Sequence, residues 1–104
     1  MTNNTLSPEL APELPPELAA ETDHILREVL GEVLGLDAER VGALDAASGL
    51  FGHLPELDSM AVAGLLTEIE DRLGIIVEDD EVDGDMLETY GALLAFVSAK
   101  RAAP

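Results

Sequence analysis

Asp58-Ser59 is the place in the chain where residue types and spacing converge on chemistry. An acid followed at once by a hydroxyl, in front of an apolar helical run, makes the aspartate an N-cap and puts the serine in the first turn. A helix start offers unpaired backbone N–H groups and the positive end of the dipole. A phosphate esterified to Ser59 would be stabilised there. An exposed Asp58 would help hold the divalent cation of such a phosphoryl transfer. The same pair also reads as an ordinary cap, and both readings stay open on these residues alone. Other chemistries fit less well. Ser59 lacks the Gly-x-Ser-x-Gly turn of a serine hydrolase. His24 and His53 stand alone in sequence and read as surface or loop residues rather than bases. The absence of cysteine excludes disulfides, thiolate metal sites and a cysteine nucleophile, and no histidine spacing supplies a zinc site. From Asp79 onward, alternating acids and Gly84 imitate a calcium loop. The twelfth position is Tyr90 instead of a bidentate glutamate, so no metal site is expected.

The elements that must position Ser59 follow from apolar periodicity. Val62, Leu65, Leu66, Ile69 and Leu73 repeat at helical spacing, and Gly74 closes the run. An earlier helix is expected from Thr22, with Leu26, Val29, Leu30 and Val33 on one face, Gly31 inside it and Gly35 as its stop. Before it, a Pro-Glu-Leu unit recurs at Pro8, Pro12 and Pro16 and denies helical hydrogen bonds. The expectation is a mobile arm over residues 1–20, a domain over 21–101 and a tail over 102–104. The alternative is a helix that begins with Pro16 in its first turn. Between Asp37 and Leu57 lies a long connection whose Leu50, Phe51 and Leu54 should pack over the core. Ile75-Ile76-Val77 is β-branched but lacks a second strand, and is expected to be extended and buried. Asp83 should cap a short helical turn through Met86 and Leu87. Thr89 should cap a last helix, with Tyr90, Leu93, Leu94 and Val97 on one face and Lys100 and Arg101 at its end. The fold class is all-α: a small bundle of three main helices and one short one.

Charge narrows the function. Acids outnumber Lys and Arg 22 to 5, for a net charge of -17, which excludes nucleic-acid binding through phosphate contacts. Hydrophobic residues at 47% demand a core, and aromatics at 3% make it aliphatic. No secretory signal and no membrane span are visible. A cytoplasmic monomer with basic protein partners is expected.

Leu57-Asp58-Ser59-Met60-Ala61-Val62 resembles the Asp-Ser-Leu motif of acyl carrier proteins, with Met60 in place of leucine. The resemblance runs from about Glu21 to Arg101. It implies an acyl-carrier helical bundle and a 4′-phosphopantetheine placed on Ser59 by a phosphopantetheinyl transferase, with Asp58 assisting. It implies a non-catalytic shuttle that carries acyl groups as thioesters to loading ligases or synthases with basic docking surfaces. Met60, Ala63, Glu68, Glu70 and Asp71 would meet those partners, and Glu70 and Asp71 match the family's acidic pair near the helix end. The core around Val62, Leu66, Ile69 and Leu94 would open to shelter an acyl chain. Gly64 and Thr67 depart from the family pattern, which weakens any transfer of partner identity from fatty-acid synthesis carriers. Peptidyl carriers, a sibling family, usually read Gly-Gly before the Asp-Ser or His-Ser pair; Leu57 here favours an acyl cargo. Pro55 to Met60 resembles stand-alone carriers linked to exosortase and exopolysaccharide gene clusters. The competing class is an acidic helical adaptor with an unmodified Ser59.

Overall fold

The computed structural model describes residues 14–103. Helix α1 spans Pro16–Leu34, with proline in the first turn, where a missing N–H leaves no hydrogen bond unmade. Residues 16–20 therefore belong to the helix and not to an arm. The rest of the expected arm, residues 1–13, lies outside the described residues. Gly35 ends α1 at a φ of 72°, a left-handed geometry that a Cβ would strain. Helix α2 is the five-residue Ala38–Gly42, capped by Asp37, whose side chain accepts the N–H of Arg40. Helix α3 spans Ser59–Leu73 and closes at Gly74, also left-handed. Helix α4 spans Tyr90–Ala102 behind its Thr89 cap, one residue into the expected tail.

Among the described residues the expected number of α-helices is present, but the short one sits elsewhere. It lies between α1 and α3, and not ahead of α4. Asp83 does accept the N–H of Met86 at 3.0 Å, as a cap would. The chain then makes turns and not a helix. The carbonyls of Leu87 and Glu88, which a helix would use, accept instead from the N–H groups of Phe51 and Leu50. A 3-10 turn over Asp79–Glu81 precedes these turns. Ile75-Ile76-Val77 is extended without a strand partner, but only its first residue is buried. Ile76 is 70% exposed, because side chains alternate sides along extended backbone.

The core is aliphatic, as composition demands. Leu26, Val29 and Leu30 of α1 meet Leu65 and Ile69 of α3 and Leu93 and Val97 of α4, all fully buried. Val62, Leu66 and Leu94 are only partly buried at its margin. Tyr90 is the largest buried side chain. Its hydroxyl donates to Asp23 Oδ1 at 2.5 Å, and the Arg27 guanidinium lies 4.7 Å from its ring centroid. Burial pushes the phenol's pKa up, and the bond to Asp23 adds to the rise. Arg27 also donates to the carbonyls of Val41 and Leu44, at 2.7 and 2.9 Å. One guanidinium thus ties α1, α4 and the start of the long connection together.

Candidate functional site

The connection that delivers Ser59 is anchored twice. Its first anchor is the N-terminal end of α4. Tyr90 N–H donates to Ser48 O at 2.8 Å, and Gly91 N–H to Ala46 O at 3.0 Å. In the other direction, Leu50 N–H donates to Glu88 O at 2.8 Å and Phe51 N–H to Leu87 O at 2.9 Å. Gly91 allows this approach, since a Cβ there would stand 2.7 Å from Ala46 O. The second anchor is apolar: Leu50 and Leu57 are both buried in the core. Between them the chain passes through Gly52, at a φ of 87°. Asp58 follows directly on the buried Leu57. Its Oδ1 accepts the N–H of Ala61 at 2.8 Å and so fixes the start of α3.

Ser59 is exposed, and its hydroxyl has no hydrogen-bond partner among the described residues. Three depressions meet at it. One, of about 480 Å³, is walled by Phe51, His53, Leu54 and Pro55. A second, of about 240 Å³, runs to Val82, Gly84 and Leu87. The third, of about 370 Å³, follows α3 past Val62 and Leu66 to Glu70, with Val77 and Val82 on its far wall. An accessible hydroxyl at the positive end of a fifteen-residue helix, with apolar grooves leading away from it, suits an esterified phosphate bearing a long arm.

The expected partner-facing residues divide. Met60 is 86% exposed, and Ala63 and Asp71 are also exposed. Glu68 lies 3.3 Å from Arg72, which also pairs with Glu32 of α1. Glu70 turns the other way. Its Oε2 accepts the N–H of Val77 at 2.8 Å, inside the groove. His53, isolated in sequence, comes to the same depression as Ser59. Sequence periodicity missed the groove wall of Val77 and Val82 and the inward turn of Glu70. The spacing of four from Val62 to Leu66 to Glu70 was the available signal. The acids that imitate a calcium loop serve local structure: Glu81 accepts from the N–H of Glu78 and from Lys100.

A helical bundle that holds a serine exposed at a helix start, on a pinned connection, is the architecture of a carrier domain. The family model described as "Phosphopantetheine attachment site" matches residues 24–97. The solution NMR structure of a holo acyl carrier protein from Nitrosomonas europaea is similar, with 40% identity and a TM-score of 0.70 over 86% of this chain and all of that one. No curated protein matches. The chain belongs to the acyl carrier protein family, and its prosthetic group is a covalently attached phosphopantetheine. No helix among the described residues is long and apolar enough to cross a membrane.

Proposed function

We propose that Ser59 is the attachment point, and that the chain is a non-catalytic carrier that presents acyl groups to partner enzymes. The observation that carries this reading is the Ser59 hydroxyl itself: exposed, without a hydrogen-bond partner among the described residues, in the first turn of α3 and at the meeting point of three grooves. When attached, the group supplies a terminal thiol on which cargo is carried as a thioester. Everything else falls to the chain's own side chains.

Asp58 holds the helix start with Oδ1 while its exposed carboxylate helps gather a divalent cation in the transferase complex. Ser59 accepts the phosphopantetheinyl group once, in that complex. Its oxygen bonds to phosphorus and gives up its proton as the pyrophosphate bond of coenzyme A breaks and the nucleotide portion leaves. It takes no part in thioester chemistry. Met60, Ala63 and Asp71 form an exposed face beside the attachment point, with Glu68 at its border. That face suits a phosphopantetheinyl transferase and acyl-loading enzymes whose docking surfaces are basic. The groove along Val62, Leu66, Val77 and Val82 is where a cargo chain would find apolar cover.

Intact mass spectrometry after incubation with coenzyme A and a promiscuous phosphopantetheinyl transferase tests the assignment. A gain of one phosphopantetheinyl group that Ser59→Ala abolishes is the expected result. A gain that survives the substitution would remove Ser59 from the role.

A further inference from the structure

Helix α3 carries two apolar stripes. Leu65, Ile69 and Leu73 face the core and are buried. Val62 and Leu66, four residues apart, lie on a neighbouring stripe and are only partly covered. They face Val77 and Val82 across the groove that opens at Ser59. One turn beyond Leu66 the same stripe reaches Glu70, where an aliphatic residue would prolong it. The Glu70 carboxylate is fixed in place by the N–H of Val77 at 2.8 Å, so it bridges α3 and the opposite wall. Beside it, the Thr67 hydroxyl donates to the carbonyl of Ala63, and Asp79 lies between Val77 and Val82 on the opposite wall, so the far end of the lining is polar on both sides. From Ser59 to Glu70 the helix rises roughly 16 Å. Covering an ionised carboxylate with hydrocarbon removes its water without giving a partner in exchange, whereas each methylene gains only modestly from cover.

We infer that Glu70 is the end stop of this groove and a specificity-determining residue for cargo. An aliphatic acyl chain laid along α3 is covered as far as Leu66 and halted at the carboxylate, so chains longer than the groove gain no further cover. The inference rests on the reading that the groove shelters cargo borne from Ser59.

The test loads the protein from saturated acyl-coenzyme A thioesters, butyryl through dodecanoyl, and confirms each product by intact mass. Release by hydroxylamine at fixed pH is then compared with that of the free acyl-pantetheine thioester. Release should slow with chain length, by up to about fourfold for each sheltered methylene, and then level off at a break length. In Glu70→Leu the break should move to longer chains. In Glu70→Gln, which keeps a side-chain oxygen for Val77 but loses the charge, it should move less than in the leucine variant. Leu66→Trp fills the groove one turn earlier and should shorten it, which keeps the test decisive if the leucine variant folds poorly by circular dichroism. A break unmoved in folded Glu70→Leu would overturn the end stop, and one unmoved in Leu66→Trp would show that the chain does not follow this groove. Release as fast as from free thioester at every length would overturn the sheltering reading and this inference with it. Absence of any mass gain would instead count against the carrier reading itself.

Discussion

Asp58 holds the N–H of Ala61 through one carboxylate oxygen, so its two proposed tasks can be separated by substitution. Asp58→Ala should lower stability by about 1 kcal/mol through loss of the cap. Asp58→Asn keeps an oxygen acceptor and should unfold near the parent midpoint in urea. Both should slow loading by the transferase, because both remove the charge that gathers its cation. Loading at the parent rate in the asparagine variant would reduce Asp58 to a cap. The acids farther along α3 are unequal probes. Glu70→Lys would break the bond to Val77 as well as change charge, so it confounds docking with groove geometry. Asp71→Lys changes an exposed charge alone. It should slow encounter with a cognate partner at low salt, and the difference should fade as salt rises. Glu17→Lys makes the same change on α1, one turn before Glu21, which pairs with Arg101 of α4. Equal slowing by the two substitutions would mean diffuse attraction, and α3 would lose its docking role.

The connection from Leu36 to Asp58 is held to the start of α4 by paired backbone bonds, and one residue governs how closely they approach. Gly91→Ala would put a Cβ against the Ala46 carbonyl, a backbone atom with little freedom to retreat. A loss of about 1–3 kcal/mol is expected, read from the urea midpoint. The caps at Asp58 and Thr89 and the stops at Gly35 and Gly74 were legible in the sequence because each rests on chemistry within one turn. The position of the short helix was not. The groups that divert residues 84–88 from helix are the N–H groups of Leu50 and Phe51, far away along the chain. Glu70 hid for a related reason. Its partner Val77 lies past the helix stop, where helical spacing carries no information. The start of α1 was one of two that the prolines permit, and local rules could not choose between them.

For the whole molecule, the distribution of the few cations matters as much as the net charge of -17. Each of the five has a carboxylate partner: Arg27 with Asp23, Arg40 with Glu56, Arg72 with Glu32, Lys100 with Glu81 and Arg101 with Glu21. The remaining acids, most of the 22, repel one another. Exposed pairs contribute little, so screening the repulsion should dominate. Added NaCl, and more so Mg²⁺, should raise the thermal midpoint at constant pH; a flat or falling midpoint would show the acids to be too dispersed to matter. The Lys100 bond holds the carboxyl of Glu81 below the usual carboxylate range, and Arg40 does the same for Glu56. A depressed folded pKa stabilises above the unfolded value, and that contribution fades as pH falls through the folded one. Lys100→Gln should therefore be less stable than the parent near neutrality, with the gap closing in acid below about pH 4. A gap that persists there would assign Lys100 a packing role instead.

That lysine has one more consequence. Amines attack thioesters, and Lys100 is the chain's only side-chain amine. It lies in a separate depression with Leu73 and Gly74, about 20 Å along α3 from Ser59. There both oxygens of Glu81 engage it, at 2.8 and 3.0 Å. With no cysteine either, the chain's one side-chain amine is held in an ion pair, and Glu81→Ala should leave a charged carrier more prone to acylating itself at Lys100.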